Sequence, residues 1–305
     1  IRYDCGGIVK SRYVVIALII CLAISSLSAN ALSSKSVLFI TSSGRDLGIT
    51  STSVSEGQTT FAQNLQSAGY TVEERNYITP EILSKYNVLV IHDAAFYDSG
   101  YTPMIKDFVN AGGGLLIFSE GINFPSFEEL TGQFGVKINK NSVYKNGYVV
   151  EITTFSEHAI FKGIRSLQGQ FSSVMAQPPA RAVAQGDPDS YTTGDEKTFG
   201  PSPPVIAVSQ LGKGKVIVIG SHYIFRNYDI QSKDNLKFGL NVIEWLSTPE
   251  VTPTPTPTAT PTPTATPATP TQTPTATPTP TLSPAKTPGF EAIAGGIALL
   301  MLALS

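Results

Sequence analysis

A long alternation of threonine and proline near the C-terminus limits where this chain can fold. Twelve of its 22 prolines lie between residues 251 and 290. Because proline fixes φ and removes a backbone donor, residues 249–287 favour extended polyproline II over helix or sheet. At about 3.1 Å per residue, such a stalk spans on the order of 100 Å. Only residues 35–248 can then bury a hydrophobic core, and that length suits a single domain.

The N-terminus has the pattern of an export signal. Lys10 and Arg12 precede an apolar run at residues 13–27, and Ala29-Asn30-Ala31 follows it. A basic flank, a short apolar segment and an A-x-A site predict a signal peptide over residues 1–31. A permanent membrane anchor is the alternative, although the run is shorter than the about 20 residues that a spanning helix needs.

Charge and cysteine content exclude several classes of function. The net charge of −2 and a pI near 6.0 give no basic footprint for a nucleic-acid partner. Both cysteines, Cys5 and Cys21, lie within the predicted signal peptide. Cleavage after Ala31 therefore leaves no disulfide, no thiolate metal ligand and no cysteine nucleophile. We expect no metal and no cofactor.

Residues 35–248 alternate between short apolar runs and helical patterns. Short buried strands between helices are typical of a parallel sheet that is covered on both faces. The sequence predicts an α/β fold with a flavodoxin-like, doubly wound and mostly parallel sheet. The predicted strands are Val37–Thr41, Tyr70–Glu74, Asn87–His92, Leu115–Phe118, Tyr148–Thr153, Ala180–Ala184, Val205–Ser209 and Lys215–Gly220. The predicted helices are Glu56–Ser67, Thr102–Asn110 and Asp234–Leu246.

Polar side chains cluster at the predicted strand ends, the edge at which parallel sheets bind ligands. The candidate ligand-binding residues are Thr41, Ser43, Arg45, His92, Asp93, Ser119 and His222. A glycine run at residues 112–114 precedes a strand rather than a helix. It is therefore interpreted as a helix C-cap and turn, and not as a phosphate loop.

Three hypotheses explain these strand-end residues. They form a non-catalytic pocket, they cap strands and turns without any chemistry, or they catalyse hydrolysis. In the third case Ser119 is the nucleophile, His222 the base, and Glu120 or Asp93 the orienting acid. Ser119 lacks the G-x-S-x-G frame of a nucleophile elbow. The same side chains show no metal-binding spacing.

Several motifs of the domain resemble class I glutamine-amidotransferase-like domains. The similarity is greatest to their non-catalytic branch, which includes the GIFT domain of intraflagellar-transport proteins and a prokaryotic family of unknown function. The motifs are SVLFITSSGR, YNVLVIHDA, IKDFVNAGGGLLIFSEG, HAIFKGIRSL and GKGKVIVIGSHYIFRN. Catalytic members carry a cysteine after the strand that corresponds to LLIF. Here that turn reads Ser119-Glu120-Gly121, and no Pro-Glu follows His222, so the resemblance implies a domain without amidotransferase activity.

The C-terminal segment resembles the PGF-CTERM sorting signal of archaeal surface proteins. Pro288, Gly289 and Phe290 follow the stalk, and residues 293–304 form an apolar run. The resemblance assigns residues 288–305 to a sorting signal with a partial transmembrane helix. It implies that an archaeosortase removes the helix and that a membrane lipid replaces it. A plain transmembrane anchor is the alternative.

These features together predict an exported protein that is anchored in an archaeal envelope. We expect a non-catalytic amidotransferase-like module, held by a stalk, that binds an envelope protein or glycan. The alternative is an extracellular hydrolase that uses Ser119 and His222.

Overall fold

The structure is a computed structural model that describes residues 35–41, 48–55, 57–92, 98–119, 125–194 and 200–249. The strands are β1 Ser36–Ile40, β2 Thr71–Arg75, β3 Val88–His92, β4 Gly114–Phe118, β5 Val136–Ile138, β6 Asn141–Tyr144, β7 Val149–Ile152, β8 Thr154–Phe155, β9 Leu167–Gln170, β10 Val174–Ala176, β11 Arg181–Gln185, β12 Tyr191–Gly194, β13 Pro204–Leu211 and β14 Gly214–Ile219. The helices are α1 Thr59–Ser67, α2 Pro80–Leu83, α3 Thr102–Asn110, α4 Pro125–Gly132 and α5 Asn235–Ser247.

Eight strands form the main sheet, in the order β2-β1-β3-β4-β14-β13-β11-β8. The first five strands in that order pair in parallel, and β13, β11 and β8 extend the sheet with antiparallel pairs. Three two-stranded antiparallel sheets accompany it, namely β5 with β10, β6 with β12 and β7 with β9. The fold is therefore mixed α/β with a large, mostly parallel sheet, as the strand pattern predicted.

The central strands are fully apolar because both of their faces are buried. Alternate residues of β1 point to opposite sides, so that Val37 and Phe39 join one core cluster while Leu38 and Ile40 join the other. The first cluster includes side chains of α1 and α5, and the second includes side chains of α2, α3 and α4. Among the residues that the structure describes, every buried hydrophobic side chain lies between Val37 and Leu246. A fragment of residues 35–249 thus contains the whole described core, and we expect it to fold on its own.

Two glycines allow close packing around the end of α3, one in the turn before β4 and one at the start of β14. Gly112 has a φ of 118° and ends α3, and the Gly113 N–H donates to the Phe108 carbonyl oxygen (2.9 Å). This confirms the interpretation of the glycine run as a helix C-cap. Gly214 lies so close to α3 that a Cβ there would be 1.9 Å from the Val109 oxygen.

Some predicted features fall outside the described residues. Residues 1–34 and 250–305 are among these, so the signal peptide, most of the stalk and the C-terminal segment have no structural description. Among the described residues, no helix is long and apolar enough to cross a membrane.

Candidate functional site

Four of the predicted strand-end residues lie together at the carboxyl edge of the parallel strands, and all four are buried. They are Thr41, His92, Ser119 and His222, which end or follow β1, β3, β4 and β14. The Ser119 N–H donates to the Ile219 carbonyl oxygen (3.1 Å) and so continues the β4–β14 pairing. The other candidates, Ser43, Arg45, Asp93 and Glu120, lie outside the described residues.

Thr41 connects β1 to its neighbour β2. Its hydroxyl donates to the Glu74 carboxylate, and its N–H donates to the Arg75 carbonyl oxygen (3.1 Å). The second Glu74 oxygen accepts from the Ile49 N–H (3.0 Å). These contacts join Thr41 and Ile49 to β2 through Glu74.

His92 and His222 are close to each other, with ring centroids 6.0 Å apart. The His92 ring stacks on Phe118 at 4.6 Å. The Gln58 amide nitrogen is 2.7 Å from His92 Nδ1 and, because an amide nitrogen can only donate, Nδ1 must accept. The neutral His92 ring therefore carries its proton on Nε2.

Arg226 completes this group from the loop that follows β14. Its guanidinium donates to His222 Nε2 and lies over the Tyr223 ring, with Cζ 3.9 Å from the ring centroid. Arg226 is 7% exposed and Gln58 is fully buried. Gln58, His92, His222 and Arg226 are named here the histidine centre.

Burial controls the charge of His92. Desolvation lowers the pKa of His92 well below its ordinary value of 6.5, and the nearby Arg226 guanidinium lowers it further. His92 is therefore neutral at physiological pH. Burial also lowers the pKa of His158, which is near Arg181 and Lys215.

We expect the domain to lose stability as the pH falls from 7.5 to 5.5. Below its ordinary pKa, His92 takes up a proton in the unfolded state but stays neutral in the fold, so protons favour unfolding. The loss for one such group approaches about 1.4 kcal/mol per pH unit. Urea titrations of the 35–249 fragment at several pH values measure it. His92→Gln should flatten the dependence more than His158→Gln does, and an unchanged slope in His92→Gln would contradict the assignment.

Three buried polar atoms near this edge have no hydrogen-bond partner among the described residues. They are Gln58 Oε1, His92 Nε2 and Ser221 Oγ. Buried polar atoms are seldom left unsatisfied, and each costs about 1–3 kcal/mol. An acceptor, a ring N–H and a hydroxyl suit the binding of a small polar group. They do not by themselves supply an activated nucleophile.

The geometry does not favour a Ser119–His222 catalytic pair. A general base needs a ring-nitrogen lone pair that is open to the proton it removes. At His222 the Nε2 lone pair accepts from Arg226 instead. Both proposed orienting acids lie outside the described residues, and among the residues described no three His, Cys, Asp or Glu side chains are placed to hold a metal ion.

Sequence reasoning missed Gln58 and Arg226. Gln58 contacts a residue 34 positions further along the chain, and no local pattern marks that contact. Arg226 carries a weak signal, because it is a single cation directly after the apolar and aromatic run Tyr223–Phe225. His158 lies apart from the histidine centre and stabilises a loop, since its Nδ1 accepts from the Ile160 N–H (3.4 Å) and its ring contacts Trp245.

The fold and this site define a mixed α/β domain with a buried polar centre at the carboxyl ends of its parallel strands. The chain belongs to the family described as Domain of unknown function (DUF4350), whose model matches residues 53–243. No curated protein matches the chain.

Two solved structures are similar to the domain. One is the mmIFT52 N-terminal domain, with 18% identity, a TM-score of 0.56 and coverage of 70% of this chain and 99% of that one. Another is the cytoplasmic protein STM1381 from Salmonella typhimurium LT2, with 16% identity, a TM-score of 0.49 and coverage of 69% and 99%. At this identity the first likeness shows the fold alone.

These comparisons correct both predicted resemblances. The glutamine-amidotransferase-like assignment is wrong, because the matching family is DUF4350 and the similar solved fold is that of the mmIFT52 N-terminal domain. The quoted motifs combine apolar strands with glycine turns, which parallel α/β sheets share widely. The comparisons give no evidence of a PGF-CTERM signal, and Pro288, Gly289 and Phe290 lie outside the described residues. The archaeosortase followed only from that resemblance and is not retained.

Proposed function

We propose that this chain is an exported protein whose α/β domain is a non-catalytic binding module held at the cell surface by the Thr/Pro-rich segment. The export pattern of residues 1–31 and the proline alternation of residues 249–287 support the location. A membrane or membrane lipid is the proposed attachment, and an envelope protein or glycan is the proposed partner.

One observation carries the non-catalytic part of the proposal. The histidines at the strand ends are committed to partners inside the fold, His92 to Gln58 and His222 to Arg226. A catalytic base would need to face a substrate instead. The polar atoms left over at this edge suit recognition of a small polar group rather than bond cleavage.

We also infer that the parallel half of the sheet is flavodoxin-like and doubly wound. The order β2-β1-β3-β4-β14 has the flavodoxin pattern of a first strand flanked by the second and third. Helices α1 and α5 pack on one face, and α2 to α4 pack on the other. This arrangement supports ligand binding at the edge that carries the histidine centre.

We expect the purified 35–249 fragment to hydrolyse no ester, amide or glycoside in a broad substrate panel. It should nevertheless bind purified envelope polysaccharide or envelope protein from its own organism. The matched variant is Ser119→Ala, which should show the same absence of hydrolysis because the proposal gives Ser119 no catalytic role. Turnover that disappears in Ser119→Ala while the variant stays folded would establish the hydrolase alternative and overturn the proposal.

A further inference from the structure

Three tyrosines that do not belong to the histidine centre form a partly exposed aromatic cluster. Tyr144 in β6 and Tyr191 in β12 are opposite each other in the strand pair, with ring centroids 5.4 Å apart. Tyr148 contacts Tyr144 edge-on, also at 5.4 Å. Tyr148 is 56% exposed and Tyr191 is 47% exposed. Large aromatic rings grouped on a surface mark a contact site more often than isolated ones do.

A groove of about 370 Å³ lies beside the same turn of the chain. It is lined by Lys145, Asn146, Val149, Val150, Glu151, Thr153 and Asp187. The turn at residues 145–148 joins the groove to Tyr144 and Tyr148, and the turn at residues 187–190 joins it to Tyr191. The three tyrosines do not line the groove itself, but each adjoins one of its lining segments in the chain. The groove together with the three tyrosines is named here the tyrosine groove. The groove alone has a volume within the range of about 300–1,000 Å³ that ligand pockets show.

An ordered polar network lies in the tyrosine groove. Lys145 Nζ is 2.9 Å from Asp187 Oδ2 and 2.9 Å from Asp189 Oδ1. Thr153 Oγ1 donates to the other Asp187 oxygen (2.9 Å). The hydrogen bonds that Lys145 donates to Asp189 and Asp187 raise the pKa of its ammonium group, which keeps Lys145 charged. One ammonium against two carboxylates gives the network a net negative charge, which disfavours an anionic ligand.

We propose that the tyrosine groove binds a neutral oligosaccharide. A sugar ring has an apolar C–H face that stacks on an aromatic ring, and a rim of hydroxyls that donate and accept hydrogen bonds. Tyr148 and Tyr191 supply the aromatic surfaces, and the Lys145–Asp187 pair supplies fixed polar partners at partial exposure. The inference rests on the proposed binding function and adds a second surface of the module, distinct from the edge that carries the histidine centre.

The test is a glycan array of neutral oligosaccharides, followed by calorimetric titration of the best binder with the 35–249 fragment. Tyr148→Ala/Tyr191→Ala should weaken binding by roughly 5- to 150-fold, because the double variant removes two aromatic contacts at once. Tyr148→Phe/Tyr191→Phe keeps the rings and should retain most of the affinity. Tyr228→Ala is the matched control, since Tyr228 is 71% exposed and belongs to a different loop.

The possible results separate this inference from the proposed function. Equal oligosaccharide affinity of the wild type and the double alanine variant would show that the tyrosine groove is not the binding site, and would leave the proposed binding function intact. The same holds if no neutral oligosaccharide binds while an envelope protein does. Hydrolysis of a substrate without any binding partner would overturn both. Circular dichroism spectra and unfolding midpoints that match the wild type confirm that each variant is folded.

Discussion

Phe225→Ala should lower the free energy of unfolding of the 35–249 fragment by about 3–5 kcal/mol. Phe225 is fully buried, stacks on Phe61 at 4.7 Å and meets Phe118 edge-on at 5.2 Å. The neighbouring helix already approaches as closely as glycine allows, because a Cβ at Gly239 would lie 2.9 Å from both Phe225 and Phe61. The surroundings therefore cannot collapse easily into the space that the ring leaves. Guanidinium titration followed by the fluorescence of Trp245, the single tryptophan, measures the change.

The control for this variant comes from the same loop. Tyr228 is 71% exposed, so Tyr228→Ala should change stability by no more than about 0.5 kcal/mol. Similar losses in the two variants would mean that the loop after β14 is not packed as described. A loss below about 1 kcal/mol in Phe225→Ala would mean the same. Phe225 lies between His222 and Arg226, so its packing also fixes the position of the histidine centre.

The parallel part of the fold was predictable because its strands are buried on both faces. A strand of this kind is a short run of apolar residues, and β1, β3 and β4 were each predicted to within about a residue. Helix α3 has the predicted bounds Thr102–Asn110, since a glycine run ends it. These signals are local, and each one was present in the sequence.

The second half of the chain was predicted less completely. Strands β5, β6, β9, β10 and β12 contain three or four residues each, and helix α4 was not predicted. Strands this short have too few residues for a clear alternation of apolar and polar positions. Their pairing is also remote in sequence, as where Val174 pairs with Ile138. The antiparallel addition of β13, β11 and β8 was therefore not predictable from pattern alone.

The sequence predicted the two histidines of the candidate site but not their hydrogen-bond partners. The carboxyl ends of parallel strands share one edge, which brought His92 and His222 together as expected. What each histidine does there depends on Gln58 and Arg226, which reach them from a helix start and a loop. Strand order locates the edge of a sheet, but the partners of buried polar groups are set by loop geometry.

Asn235→Asp should destabilise the domain by at least about 3 kcal/mol, although it changes one atom type and no shape. Asn235 is fully buried, and its amide nitrogen donates to the carbonyl oxygens of Gln168 (2.8 Å) and Asp229 (2.9 Å). Its Oδ1 accepts from the Gln168 N–H (3.0 Å), which aspartate would preserve. The substitution would turn a carboxylate oxygen toward two carbonyl oxygens in a buried position. Denaturant titration of the variant at neutral pH measures the loss.

Asn241→Asp separates burial from the loss of a hydrogen bond. Asn241 lies in the same helix, α5, and its amide also donates to two carbonyl oxygens, those of Ile160 (3.1 Å) and Lys162 (3.0 Å). Because Asn241 is partly exposed, solvent can replace those bonds, and the loss should be nearer 1 kcal/mol. Burial raises the pKa of an introduced carboxyl, so the deficit of Asn235→Asp relative to wild type should shrink as the pH falls and the folded state takes up a proton. Two results would contradict this account: equal losses of unfolding free energy in the two variants, or a loss in Asn235→Asp that does not change with pH. Either would show that Asn235 does not join α5 to β9 through hydrogen bonds that exclude solvent.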